Sequence, residues 1–204
     1  MAKEPQLIFR DDGTIRIDHV RLSYPHLFTA WGDGGLDDQG KPKKKKFSMK
    51  GLIDVKTRRP QIVQLRNHII KFAADSDKGI KLPADRLCLK DGSGSGKPEQ
   101  EGHWILSASE DTRPQVVDRK GNPVAEEDGI VYGGCYVNVL IRLWYQSNKF
   151  GKRVNANLLT VQFNEDGEAF SESGPRPDAK DVFDADEEEG GLDGGGLDDD
   201  DIAF

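Results

Sequence analysis

The chain has 204 residues, enough for one domain with extensions or at most two small domains, and its charged share of 32% nearly equals its apolar share of 35%. Residues 178–204 contain twelve Asp or Glu and one Lys, so this segment carries −11 and the preceding 177 residues carry +4, although the formal net charge is −7. Cys88 and Cys135 lie too far apart in the sequence for a disulfide framework or a zinc site, which fits a reducing cytosol. The sequence has neither a membrane-spanning apolar run nor a signal-peptide pattern, so we expect a soluble protein.

The first half of the chain predicts two strands followed by one helix. In residues 14–22 the apolar positions change parity between Ile17 and Val20, which predicts a strand with a bulge near residues 18–19. Residues 23–26 should end this strand, and the following loop finishes with five lysines within residues 41–46. Residues 47–55 alternate as a second strand, and apolar residues at 62, 65, 69, 72 and 73 predict a helix that begins near Arg59 and Pro60 and packs on a sheet.

The second half predicts further strands and a long terminal hairpin. Residues 87–89 and 103–108 are strand candidates on either side of a Gly/Ser-rich loop, and residues 115–123 resemble a small hairpin element. Residues 135–146 and 152–163 alternate cleanly and should pair as the hairpin. These elements predict a mainly β fold in residues 1–170, an OB-fold-like small antiparallel barrel with one packed helix and elaborated loops, followed by a flexible acidic tail in residues 171–204.

Catalytic patterns are missing from the sequence. The loop at residues 92–97 lacks the spacing of a phosphate-binding P-loop, because its glycines are one residue too close and Pro98 follows Lys97. The four histidines share no ligand spacing, and no serine lies in a nucleophile-elbow pattern. We therefore expect no enzyme activity, no cofactor and no metal.

Cations next to aromatic residues indicate binding of single-stranded nucleic acid, in which lysines contact phosphates and rings stack on bases. The lysine run has aromatic neighbours on both sides, and its alternative interpretation is an ordinary solvated loop. The candidate binding residues in this region are Tyr24, Trp31, Lys43, Lys44, Lys45, Lys46 and Lys50.

The terminal hairpin repeats this combination. One of its faces is too polar for a core and too aromatic for a surface that binds nothing. The connection between its strands carries both aromatic and basic residues. The candidates here are Tyr136, Arg142, Trp144, Lys149, Phe150, Lys152 and Arg153. Alternatively, Tyr136 and Trp144 pack under the linker or a long loop, and Asn138 either contacts bases or satisfies a strand edge. Trp104 lies in an apolar strand and should be core.

The acidic tail ends in apolar residues that a purely solubilising segment would not need. Its tip comprises Asp199, Asp200, Asp201, Ile202, Ala203 and Phe204, and a basic pocket with a hydrophobic floor on a partner protein would suit it. The segment can also lie across the chain's own basic surface as a substitute for a phosphate backbone.

Three segments resemble a family of single-stranded DNA-binding proteins of tailed bacteriophages: residues 21–28 (RLSYPHLF), the strand at Phe47 with its lysines, and residues 133–138 (GGCYVN). The resemblance covers most of residues 10–165. The tip is similar to that of bacterial single-stranded DNA-binding proteins, with Ala203 in place of a proline. The resemblance implies an OB-fold, sequence-independent binding in phage replication or recombination in the host cytoplasm, and a tail that recruits replication or recombination proteins.

The leading hypothesis is therefore a non-catalytic single-stranded DNA-binding protein. A protein-interaction or inhibitor module that uses the acidic tail as a DNA mimic is the alternative, and a nuclease or annealing enzyme is a more distant one. The sequence leaves the oligomeric state open, including a homo-oligomer.

Overall fold

The computed structural model describes residues 4–32, 34–35, 40, 42–149 and 151–170. One long helix, α1, spans Val55–Ser76. The strands are β1 (Leu7–Phe9), β2 (Thr14–Trp31), β3 (Lys46–Asp54), β4 (Leu89–Asp91), β5 (His103–Glu110), β6 (Gln115–Val117), β7 (Tyr136–Asn148) and β8 (Gly151–Glu165). Short 3-10 turns lie at Ala84–Arg86 and Pro98–Gln100.

The strands form one sheet in the order β4-β5-β3-β2-β7-β8-β6, and β1 pairs with β2. The β6–β8 pair is parallel and the other pairs are antiparallel. Strand β5 also contacts β8, which is four places away in this order, so the sheet curls back on itself. The prediction of a mainly β fold with one packed helix is confirmed, whereas the narrower assignment to an OB-fold stays a prediction.

The core lies between the curled sheet and α1. Inward residues of β2, β3, β7 and β8 belong to one core with the helical stripe of Ile62, Leu65, Ile69 and Ala73, which the helical period predicts. Cys88 and Cys135 are buried free thiols, and burial raises the pKa of Cys88 to about 12 and that of Cys135 to about 11.

Strand β2 differs from its prediction beyond residue 22. The bulge near residues 18–19 is confirmed, because the register with β7 shifts between Ile17 and Val20. The expected end at residues 23–26 is wrong: the strand continues to Trp31, and its pairing with β3 shifts between Ser23 and His26. An irregular register accommodates Pro25, which cannot donate a ladder hydrogen bond. The long strand thereby carries Tyr24 and Trp31 along the sheet instead of releasing them into a loop.

Other boundaries shift by a few residues. Helix α1 begins at Val55, where the Asp54 carboxylate caps the helix by accepting from Lys56 N at 2.9 Å. Arg58 has non-helical angles (φ −125°, ψ 19°) inside this first turn. The strand predicted at residues 87–89 forms at Leu89–Asp91. Trp104 is half-buried rather than fully core, and the Arg66 guanidinium lies 5.7 Å from its ring centroid.

Candidate nucleic-acid interface

A cleft of about 600 Å³ opens between β2, β3 and β5 on one side and β8 on the other. Its apolar floor includes Met49, Ala108, Val154 and Ala156. Five basic side chains and one carboxylate line it: Lys50, Arg86, Lys90, Lys97, Arg153 and Asp85. Tyr24, His26 and Trp31 add an aromatic wall. The cleft therefore offers cations for an anionic chain and flat apolar faces for planar groups.

Two ammonium groups lie close to the Tyr24 ring. The Tyr24 backbone is left-handed (φ 48°), and 44% of the residue is exposed. Lys97 Nζ lies 4.2 Å and Lys50 Nζ 5.2 Å from the ring centroid. Lys97 Nζ also donates to Tyr24 Oη at 2.7 Å. Burial lowers the pKa of Lys50, and the charges of Lys97 and Lys90 lower it further, while Glu99 opposes them.

Trp31 forms a second platform at the end of β2. The His26 and Trp31 rings are stacked, with centroids 5.0 Å apart and an angle of 11° between planes. Trp31 is 55% exposed. Burial lowers the pKa of His26, so the imidazole is neutral at pH 7 and supports the indole by stacking rather than by charge. His26 therefore backs one face of an indole that is more than half exposed among the described residues.

The lysine run lies beside the cleft but is partly engaged. Lys46 is the cross-strand partner of Trp31. Lys44 Nζ and Lys46 Nζ contact the two Asp111 oxygens at 2.6 and 3.2 Å, and hydrogen bonds from these lysines lower the pKa of Asp111. Lys43 and Lys45 are exposed. Exposed ion pairs are weak, so phosphates can replace Asp111 at little cost.

The predicted face of β7 divides into two regions. Arg142 and Trp144 are exposed, and Trp144 pairs with Asn155, which lines the cleft one strand away. Tyr136 lies at the other end of β7, stacked on His19 with centroids 4.2 Å apart.

The Asn138 side chain joins neighbouring strands, as one of its two predicted roles requires, and its contact with bases stays a prediction. It accepts from His19 N at 3.0 Å and donates to Gln162 Oε1 at 3.1 Å.

The hairpin tip is joined to the end of α1. Lys152 Nζ lies 2.5 Å from Asp77 Oδ2, to which Tyr145 Oη donates at 2.8 Å. Arg153 lines the cleft and Lys149 is exposed. Phe150 and the tail candidates Asp199, Asp200, Asp201, Ile202 and Phe204 lie outside the described residues.

The structure brings four of the predicted residues into one cleft: Tyr24, Trp31, Lys50 and Arg153. Sequence reasoning missed His26, Arg86, Lys90 and Lys97, which line the same cleft. Lys97 ends the loop that fails as a P-loop, and its contact with Tyr24 joins residues 73 positions apart. Local pattern carries no information about such a contact.

The described residues contain neither a metal-ligand cluster nor a helix that could cross a membrane. No group of three or more His, Cys, Asp or Glu that could hold a metal ion occurs there. None of the helices described is long and apolar enough to cross a membrane.

Comparisons with known proteins point to one family. The family model of the Enterobacter phage Enc34 ssDNA-binding protein matches residues 14–192. Protein p50 of Acyrthosiphon pisum secondary endosymbiont phage 1 is 32% identical over 173 residues, which cover 78% of this chain and 88% of that protein.

Solved structures agree. The bacteriophage Enc34 single-stranded DNA-binding protein in complex with ssDNA is 35% identical, with a TM-score of 0.71 over 84% of this chain and 97% of that chain. A further structure of the Enc34 protein is 33% identical, with a TM-score of 0.71 over 90% of this chain and 97% of that chain. The chain therefore belongs to the family of the Enterobacter phage Enc34 ssDNA-binding protein.

Proposed function

We infer that this chain binds single-stranded DNA in the cleft between β3, β5 and β8, without catalysing a reaction. The observation that carries the inference is the exposed Tyr24 and Trp31 rings beside five basic side chains. Bases stack on aromatic faces and phosphates meet cations in sequence-tolerant binding of single strands. The Enc34 relative, whose structure was solved with ssDNA, supports this choice of ligand.

The binding mode follows from the arrangement of these groups. Trp31 and Tyr24 are the base platforms, while Lys50, Lys90, Lys97 and Arg153 contact phosphates. Lys97 leaves the Tyr24 ring when a phosphate draws its ammonium group away, and this uncovers the ring for a base. Because none of these contacts reads a base edge, binding is independent of sequence.

The wider role that we propose is protection and handling of single strands in phage DNA replication or recombination in the bacterial host. The acidic segment 178–204, with a charge of −11, competes with DNA for the basic body and offers Ile202 and Phe204 to replication or recombination proteins.

Tryptophan fluorescence during titration with oligo-dT tests the DNA-binding role. Trp31→Phe should remove most of the quenching. Trp31→Ala lacks the reporting indole, so its affinity is measured by the anisotropy of a dye-labelled oligo-dT; binding should weaken about 5- to 160-fold, which corresponds to the roughly 1–3 kcal/mol of one stacked base. Trp104→Phe, a half-buried tryptophan packed against the core, is the matched control and should leave the affinity unchanged.

Two outcomes would reject the proposal. If wild-type protein failed to bind oligo-dT even after removal of residues 178–204, the inhibitor module with a DNA-mimicking tail would be favoured. If Trp31→Ala bound as tightly as wild type, the cleft would not be the binding site.

A further inference from the structure

A second pocket, of about 290 Å³, lies at the beginning of α1. Arg58 and Asp54 of the helix start line it, together with His19, Arg21, His103 and Tyr136 from neighbouring strands. The lining includes two arginines, two histidines and one carboxylate, and His19 Nε2 contacts the Glu165 carboxylate at 3.3 Å. The pocket is thus biased towards an anionic group.

Arg58 is the main reason to expect a ligand. It is 5% exposed, and its Nη1 donates to the backbone carbonyls of Asp18 and of His19, the latter at 3.1 Å. Its Nε and Nη2 are buried and have no hydrogen-bond partner among the residues that the structure describes. A buried guanidinium with unused donors is costly, and its planar fork matches the oxygens of a phosphate.

The nearby carboxylates are already engaged. The Asp18 carboxylate accepts from Arg16 Nε at 2.6 Å. The Asp54 carboxylate caps α1 by accepting from Lys56 N and from Thr57 Oγ1, each at 2.9 Å. The positive end of the helix macrodipole at this cap further favours an anion. An additional oxyanion can therefore bind Arg58 without displacing these carboxylates from their hydrogen-bond donors.

The pocket lies on the same face of β3 as part of the cleft. Ser48 and Lys50 line the cleft, while Leu52 and Asp54 line the pocket, and alternate residues of a strand share one face. Lys50 and Asp54 are four residues apart, about 13 Å along a strand. A single strand of nucleic acid seated in the cleft can therefore continue along β3 to the pocket.

We propose that this pocket is a phosphate subsite in which Arg58, with Arg21 at its rim, binds the backbone of a single DNA strand whose neighbouring nucleotides occupy the cleft. The stacked His19 and Tyr136 rings beside it support the adjoining nucleotide. This inference rests on the proposed function and extends its DNA path beyond the cleft.

The test compares oligo-dT of about 4 and about 16 nucleotides, the range of site sizes for one OB-type domain, on the full-length protein. Arg58→Met should weaken binding of the long oligonucleotide. The slope of log affinity against log salt concentration should become shallower by about 0.7, the value for one lost phosphate contact on a single strand. Binding of the short oligonucleotide should be unchanged. Arg59→Met, an exposed neighbour with the same charge change, is the matched control.

Each alternative outcome is distinct. Unchanged binding of both lengths by Arg58→Met, with Trp31→Ala still weakening both, would overturn the subsite and leave the cleft function intact. Tighter binding by Arg58→Met would show that the pocket holds the acidic segment instead of DNA, which also overturns the proposal. Failure of the protein to bind either length, both at full length and after removal of residues 178–204, would reject the proposed function itself.

A measurement on wild-type protein covers the case in which Arg58→Met does not fold. The Arg58 Nε–H resonance in a ¹H–¹⁵N spectrum should shift when the long oligonucleotide is added and stay in place with the short one. If the protein bound both oligonucleotides and the Arg58 Nε–H resonance did not shift with either, the subsite would be contradicted.

Discussion

At the scale of a single residue, Lys50 connects the aromatic and the cationic parts of the cleft. It lies beneath an aromatic ring, close to Lys97 and Lys90, and its burial and these charges lower its pKa. A bound phosphate reverses this effect, because an opposite charge favours the protonated amine. Binding of DNA and protonation of Lys50 should therefore support each other.

Because the pKa of Lys50 is lowered, the affinity for oligo-dT should begin to fall at a lower alkaline pH than it would with an ordinary lysine. The ammonium form is lost as pH rises through a pKa below that of an ordinary lysine. Affinity should fall over the same interval, and Lys50→Arg, whose guanidinium stays charged, should move this fall to higher pH. Lys45→Arg, in the exposed run, is the control. An unchanged pH profile for Lys50→Arg would show that Lys50 does not contact phosphate.

At the scale of elements, β2 and β7 position the site through backbone irregularity. The register shifts of β2 place Tyr24 and His26 at the cleft. At the start of β7, Gly134 has φ 116°, and an added Cβ would lie 2.1 Å from the Glu168 carbonyl oxygen. The adjacent Gly133 would place its Cβ in ordinary contact, 3.7 Å from Pro25 Cδ.

These neighbouring glycines form a matched pair for stability. Gly134→Ala should lower the free energy of unfolding by about 1–3 kcal/mol or more, because both the left-handed backbone and the backbone clash oppose a side chain. Gly133→Ala should change it little. Urea unfolding of both variants checks this, and equal stabilities would mean that the chain after β8 does not pack against Gly134.

The sequence predicts regular elements well and irregular ones poorly. Alternation identifies β7 and β8, and the helical period identifies the buried stripe of α1, because each pattern repeats over many residues. Residues 23–26 look like a strand end because proline cannot join a regular ladder, yet β3 pairs with them through shifted register. Tyr24, Trp31 and Lys50 could be predicted because aromatic and basic residues lie close together in this part of the sequence. Lys90 and Lys97 reach the cleft only through tertiary contacts, which no local pattern contains.

At the scale of the whole molecule, charge is divided between a basic body and an acidic segment. We propose that the opposite signs, +4 and −11, make the segment an internal competitor for the cleft. Removal of residues 178–204 should therefore tighten oligo-dT binding, most strongly at low salt. Replacement of its Asp and Glu residues by Asn and Gln should have the same effect if charge, rather than chain length, is responsible. Unchanged affinity in both variants would reject competition and leave partner recruitment standing.

The salt dependence of oligo-dT affinity tests the central claim most directly. Phosphate contacts release counterions, so log affinity falls linearly with log salt concentration, by about 0.7 for each contact on a single strand. If at least three of the five basic side chains of the cleft meet phosphates, the slope for the protein without residues 178–204 should be about −2 or steeper. Affinity that stays constant from low to high salt would contradict a cationic cleft as the DNA-binding site.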